Sequence, residues 1–444
     1  MTDTSHPGHA ALDDSEAHVH RCLARLPFAD VDVELTAAAC ALRGRAAGEA
    51  LAALADAGLL ERHGRHPVRG PVYGLRGAVG THPRTHVDQL GRLDRLDHEE
   101  PDPVAGEPLR RALDWLLAAA TAAAHLLDRG YRDLDRDHHH PPADAPAFTT
   151  ASEALAWLDA QHTILMAAVR AAHAAGLHGS TWRLVHAMRP CWTAFHHYPG
   201  WLEAHELAYD AAQRCGHASA QREILRTWGV ALRNAGRHAQ ATVAFTRVIA
   251  AARTAGDELG VARALYELGG THLDANHPRQ SEPFLRRARG LLRTLGDVRG
   301  VALCDVCLGR VALVRDRPTE AITLLSEARA ALVAERHAFD AARALAWLGR
   351  AQAHDGDYAT ALYDLRLAHD EFVAVGSSRW IARVREMLGD IAREQHRLAD
   401  AARFHAQALE MYGRSSPRDA KRLRRHLDGL KAPTDSPDDD RDRV

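Results

Sequence analysis

Apolar residues along this chain recur on a helical rhythm, and the rhythm itself repeats. Leu-Gly, or Trp-Gly in its place, occurs at Trp228-Gly229, Leu268-Gly269, Leu308-Gly309, Leu348-Gly349 and Leu388-Gly389, each forty residues after the last. Ala241, Ala321, Ala361 and Ala401 form a second track in the same phase, broken by Ser281. Ala208, Ala288, Ala328, Ala368 and Ala408 form a third, broken by Val248. Gly216, Gly256, Gly296 and Gly376 mark a fourth, with Arg336 in the deviant slot. A fixed period of this length is the signature of stacked supersecondary units. Such a stack usually presents an extended surface for holding something.

Between the marks the pattern predicts two helices per unit. In one unit these are residues 261–273 and 281–295, with Asn276, His277 and Pro278 as the turn. The equivalent turns carry Gly236-Arg237, Asp316-Arg317-Pro318, Gly356-Asp357 and His396-Arg397, residue types suited to turns by their backbone angles. Gly256-Asp257 and Gly296-Asp297 read as helix stops with glycine at the C-terminal cap. The glycine of Leu-Gly falls mid-helix, where it costs about 1 kcal/mol against alanine. Its recurrence predicts a neighbouring helix that crosses too close for a side chain. Residues 222–412 hold five clear units, and residues 151–176 and 182–216 read as two degenerate ones.

The N-terminal part differs. Short helices at 21–26, 33–42 and 47–57, then strands at 59–62 and 72–75 around a Gly/Arg/Pro-rich wing, give a winged-helix order within residues 18–90. Residues 1–17 are expected to be disordered, 91–107 a linker, 108–130 a connecting amphipathic helix, and 131–147 a second linker containing His138-His139-His140. The helical array takes 148–430, about seven hairpins, and 431–444 form an acidic disordered tail.

The repeat resembles the tetratricopeptide repeat (TPR): Leu268-Gly269, Ala321 and Ala328 match that family's small positions in helices A and B. The resemblance implies an all-α, right-handed TPR superhelix. The usual unit is about 34 residues, so the extra length is expected in helix B and the following helix A. Over residues 20–412 the chain also resembles actinobacterial regulators of the STAND class, in which an NB-ARC nucleotide-binding domain precedes a winged helix and TPRs. The resemblance rests on Leu23-Ala24-Arg25-Leu26-Pro27-Phe28, on residues 51–60 (LAALADAGLL), on Leu113-Asp114-Trp115-Leu116 and on residues 154–160 (ALAWLDA). Two departures stand out. A P-loop needs Gly-x-x-x-x-Gly-Lys-[Ser/Thr], and neither lysine, Lys421 or Lys431, follows a glycine. Leu75-Arg76-Gly77 stands where that family has a Leu-His-Asp-type nucleotide sensor. The expectation is a chain that is not an ATP switch in its own right.

Composition narrows the picture. Net charge is −2 over 444 residues, which argues against bulk nucleic-acid binding, and almost all the positive charge is on arginine. Six cysteines without a secretory apolar segment point to a reducing, cytoplasmic setting. The longest mostly apolar run, residues 115–124, is too short to span a bilayer. The third N-terminal helix, residues 47–57, has no Arg or Lys and two acids, so a packing role is expected and DNA binding by the chain itself is not. The wing is basic (Arg62, Arg65, Arg69, Arg76) and could touch a phosphate. Cys304-Asp305-Val306-Cys307 lacks the second pair a four-ligand zinc site needs and reads as core thiols. His138 to His140 read as a flexible loop, His205-Glu206 begins an HExxH motif that Tyr209 breaks, and His196-His197 interrupt a helix. No metal, cofactor or catalytic constellation is read, so the expectation is a non-enzyme.

In TPR arrays helix A lines the concave face. That register places Arg226, Val230, Arg233, Asn234, Arg263, Tyr266, Asp274, Arg310, Arg343, Arg350, Arg383, Glu386 and Arg393 there. Arginine's planar fork suits carboxylates, which predicts a groove for an acidic peptide or a C-terminal carboxylate. The competing reading pairs these arginines with Glu223, Asp390 and Glu394, as surface ion pairs of little energetic weight. The function expected is regulation by protein–protein interaction in transcriptional or signalling control, with a peptide or protein partner such as a STAND regulator or transcription factor. The resemblance implies antibiotic-cluster control. A peptide or small-ligand sensor and a biosynthetic enzyme or accessory on a TPR scaffold are the alternatives, and homo-oligomerisation is left open.

Overall fold

The computed structural model describes residues 12–75, 106–127, 134–195 and 198–431. The chain divides into two compact units, Met1–Trp228 and Gly229–Val444.

The first unit opens with α1 (Asp14–Ala24), started by a capping box in which the Asp13 carboxylate accepts from the Glu16 N–H and the Glu16 carboxylate from the Asp13 N–H. Then come β1 (Asp30–Asp32), α2 (Val33–Cys40), α3 (Gly44–Asp56), β2 (Leu60–His66) and β3 (Gly70–Leu75). The strands form one antiparallel sheet in the order β1-β3-β2. The second and third predicted helices and both strands are present; the first helix begins at Asp14, inside the segment expected to be disordered, and ends at Ala24 rather than 26, and β1 is an element the pattern did not announce, since three residues are too few to show alternation. The third helix begins at Gly44 rather than Ala47, so it includes the exposed Arg45, whose Nε lies 2.8 Å from Glu49.

Helix α4 (Glu107–Leu127) packs on α2. The coil after it is held down, contrary to a free linker. Trp115 Nε1 donates to the Asp144 carbonyl at 3.2 Å, and the His140 N–H donates to Asp114 Oδ2 at 2.7 Å. His140 Nε2 lies 2.7 Å from Glu107. The expected flexible histidine loop is therefore pinned to α4. The chain continues through α5 (Ala151–Ala160), α6 (His162–Ala174), α7 (His178–Ala187), α8 (Arg189–Phe195), α9 (Tyr198–Arg214) and α10 (Ala218–Asn234). Residues 151–176 do not form a regular hairpin, because α5 and α6 share the single joint residue Gln161. His196 and His197, and the expected tail from 432 onward, lie outside the described residues, as do Arg76 and Gly77.

The second unit is the regular part of the array: α11 (His238–Thr254), α12 (Glu258–Asp274), α13 (Pro278–Thr294), α14 (Val298–Val314), α15 (Pro318–Ala334), α16 (Ala338–His354), α17 (Tyr358–Ala374), α18 (Ser378–Glu394), α19 (Leu398–Ser415) and α20 (Pro417–Lys431). Helices α11 to α18 are all seventeen residues long, so the length beyond the usual TPR is shared by both helices of each hairpin.

The mid-helix glycines mark the crossing points. A β-carbon on Gly269 would lie 2.7 Å from Leu285 Cγ, on Gly309 2.7 Å from Leu325 Cγ, and on Gly349 2.9 Å from Leu365 Cγ. The facing residue is always sixteen positions on: Phe245, Leu285, Leu325, Leu365 and, last, His405. Ser281 breaks the alanine track because its hydroxyl, fully buried, donates to the Gly269 carbonyl at 2.7 Å. The turns close in the left-handed region, with φ of 62° at Asn276, 65° at Gly256 and 58° at Arg336. Each is followed by a bond back to the helix it ends, as from the His277 N–H to the His272 carbonyl at 2.8 Å.

Candidate functional site

The helix of each hairpin that carries Leu-Gly, helix A, comes closer to its counterpart in the next hairpin than the second helices do to theirs. The array therefore curves with its A helices inside, and their side chains meet across successive hairpins.

On this inner face Arg233 of α10 donates from Nη1 to Glu267 of α12 at 2.7 Å, with Asp274 3.6 Å from its Nε. Arg310 of α14 donates to the same Asp274 at 2.9 Å, and its guanidinium lies 4.8 Å from the centre of the Trp347 ring on α16. Arg383 of α18 lies 5.6 Å from the same ring and donates to Glu386 at 2.9 Å. Arg299 and Arg343 share Asp340, at 2.8 and 3.0 Å. Arg343 also faces Trp380, at 5.5 Å, and the Tyr266 hydroxyl two inner helices away. Arg350 holds Glu394 through both terminal nitrogens, at 3.0 and 2.5 Å. Charge and ring contacts thus run from α10 to α18 without interruption.

The electrostatics follow from this pairing. Burial alone would push the carboxyl of Glu386 up, but Arg383, Arg422 and the Tyr412 hydroxyl outweigh it and hold the group at about 2. Burial likewise opposes ionisation of Asp274 and Asp340, and their arginines reverse it, so both stay below the usual range. Burial and the nearby Cys307 push the Tyr266 phenol up, so it stays protonated at neutral pH.

The sequence-predicted groove residues are only partly brought together. Arg233, Tyr266, Arg310, Arg343, Arg350 and Arg383 belong to the inner network. Arg226 pairs within its own helix with Glu223 at 2.6 Å. Arg263 and Asn234 are half-buried, and the Asn234 carbonyl accepts from Arg418 of α20 at 2.6 Å. The competing reading of ion pairs holds for Glu223 and Glu394, whereas Asp390 is bonded to His405 at 3.2 Å. The face is consequently a ladder of alternating charge and not a positive trough. Trp347, Glu267 and Asp340 went unnoticed in the sequence. A signal for two of them was present: the slot before each Leu-Gly or its equivalent holds Thr227, Glu267, Cys307, Trp347 and Met387, a variable column between fixed neighbours.

No family model matches the sequence, and no curated protein does. Among solved structures, the chain is similar to a Rap protein complexed with competence and sporulation factor, with a TM-score of 0.50 and 13% identity over 79% of this chain and 92% of that one. The fold is a TPR-type helical array. A Rap conjugation gene regulator of plasmid pLS20 in complex with the Phr* peptide gives 0.46 at 10% identity, covering 79% of this chain and 93% of that one. A STAND protein with a tetratricopeptide repeat sensor from Pyrococcus horikoshii gives 0.39 at 13% identity; it is matched over 94% of this chain, which spans 63% of that protein's length.

Other candidate chemistry is absorbed by packing. Cys304 and Cys307 are buried in α14, and burial pushes the Cys304 thiol up. Cys191 lies 3.5 Å from His162 Nδ1, but burial raises its thiol too, which disfavours a nucleophilic thiolate. His205 is bonded to the Trp201 carbonyl at 2.9 Å and Thr227 Oγ1 at 3.0 Å, and burial lowers its pKa to about 3. Among the described residues no group of three or more ligating side chains could hold a metal ion, and no helix is long and apolar enough to cross a membrane.

Proposed function

We propose that this chain is a non-enzymatic regulator that captures an extended peptide, or an extended segment of a protein partner, along its inner helix face. The observation that carries this reading is the unbroken row Glu267–Arg233–Asp274–Arg310–Trp347–Arg383–Glu386. Such a row offers a peptide donors and acceptors of both signs along its length, with one indole among them. Because each arginine already has a carboxylate, a polyacidic ligand is a poorer fit than a segment of mixed charge carrying an aromatic or apolar residue near Trp347. A Rap protein of similar fold is complexed with competence and sporulation factor. The partner would be a transcription factor or a STAND-class regulator.

The N-terminal α1-β1-α2-α3-β2-β3 module is read as a winged helix that packs rather than reads DNA. Its wing residue Arg69 is buried against Asp30 and Asp32 at 2.7 and 3.0 Å, and Arg62 is held by Asp56 at 2.8 Å. A tight, salt-sensitive gel shift by the full chain would overturn that part.

The main reading is tested by selecting peptides from a random display library on the full chain. Selected peptides should bind the Trp347→Ala variant at least about tenfold more weakly, and the Arg343→Glu/Arg350→Glu double variant more weakly still. Peptides that bind all three proteins equally would remove the inner face from consideration.

A further inference from the structure

A second site lies on another part of the array. The slot four residues before the glycine of each Leu-Gly or its equivalent carries Leu225, Leu265, Asp305, Leu345 and Arg385. The three leucines are buried, and so is Asp305, with 5% of its surface exposed. An aspartate is smaller than the leucine of the neighbouring repeats, and beside it lies a cleft of about 320 Å³ between α13, α14 and α15. Val298, Val301, Ala302, Ala328 and Ala331 make its apolar walls, and Val298 is 47% exposed at its mouth.

Asp305 is incompletely satisfied there. Its Oδ1 lies 2.7 Å from Arg289 Nε, yet neither atom has a partner in hydrogen-bonding geometry. Burial, with Glu327 across the cleft adding to it, pushes the Asp305 carboxyl up to about 6 despite Arg289 and Arg293. A buried acid at a position where the neighbouring repeats carry buried leucine is a candidate binding group. Asp305 and Glu327 both line the cleft, and one cation seated there would meet both carboxylates. An anion, in contrast, would have to compete with Asp305 for Arg289.

We propose that this cleft binds a small organic cation: an ammonium or guanidinium group on a short apolar stem, the head group meeting Asp305 and the stem lying along Val298 and Ala331. The site is separate from the inner face and does not depend on the function proposed for it.

The test is titration calorimetry on the full chain at matched ionic strength with three probes of equal stem, hexylammonium, hexanoate and hexanol. Saturable heat is expected for hexylammonium alone, weakened at least about tenfold in Asp305→Asn and in Asp305→Leu. The second variant restores the residue type of Leu265 and Leu345, so loss of fold is not the expected cause of lost binding. Equal or tighter binding of hexanoate, an undiminished hexylammonium signal in both variants, or no saturable heat with the native chain would each overturn the assignment.

Discussion

Gly309 of α14 faces Leu325 of α15 so closely that a β-carbon on the glycine would stand 2.7 Å from Leu325 Cγ. Alanine in a helix gains about 1 kcal/mol over glycine, while overfilling a packed crossing costs about 1–3 kcal/mol. Gly309→Ala should therefore destabilise the array on balance. Gly290, also helical, has nothing within 4 Å of an added β-carbon, so Gly290→Ala should stabilise it by about 1 kcal/mol. Urea denaturation of both variants checks the pair, and a stabilised Gly309→Ala would show that α15 can retreat.

Arg336 adopts φ 58° at a turn where the equivalent residues Gly216, Gly256, Gly296 and Gly376 are glycine. The left-handed region costs a side-chain-bearing residue about 1–2 kcal/mol, and Arg336 is exposed. Arg336→Gly is expected to raise stability by about 1 kcal/mol. An unchanged or lower melting temperature would show that this side chain makes a compensating contact.

These two cases also explain what the sequence could reveal. Gly309 and Arg336 belong to local geometry: the period fixes which residue faces which, so the crossing and the turn were readable from spacing. The partners of the inner arginines were harder. Arg299 finds Asp340 and Arg350 finds Glu394 across 41 and 44 residues of chain, on helices whose relative rotation no spacing states. Trp347 stands in the column before Leu-Gly, where residue type varies from repeat to repeat, so no recurring residue marks it. Arg45 was missed because α3 begins three residues early, at Gly44, without a side-chain cap to announce it. Asp305 was visible as a charge within a leucine track, but its burial was not.

Acid and neutral pH should act on two carboxyls in opposite directions. Glu386 falls from an ordinary 4.5 to about 2, so its contribution is full above about pH 4.5 and is lost as pH falls towards 2. Asp305 rises from 3.8 to about 6, so stability is lost as pH climbs from about 4 to 6. A shift of this size corresponds to about 3 kcal/mol in each case. Denaturation curves across pH 2–8 should lose the acid-side slope in Glu386→Gln. They should lose the opposing slope in Asp305→Asn, which is expected to be the more stable protein at pH 7. Identical pH profiles for native chain and variants would contradict both assignments.

Arg418 of α20 ties the last described helix back to the end of α10, donating to the carbonyls of Asn234 at 2.6 Å and Arg233 at 3.2 Å. Its guanidinium also stands beside the ring of His238, at 3.2 Å. Arg418→Ala should speed amide hydrogen exchange both at residues 235–238 and at the start of α20, while the middle hairpins stay protected. Unchanged protection at 235–238 would mean that the tie does not hold in solution.

The final junction is fastened differently from those before it. His405 occupies the place of a phenylalanine or leucine, Tyr412 donates to Glu386 at 2.9 Å, Arg422 grips the same carboxylate at 2.7 Å, and Arg379 holds Asp419 at 2.9 Å. Hairpins in a linear stack lean mainly on their neighbours, and Arg418 adds one tie from α20 back to α10. Glu386 and Asp419, both held at about 2 by their arginines, are therefore expected to loosen the packing of α19 and α20 when they take up protons below about pH 3.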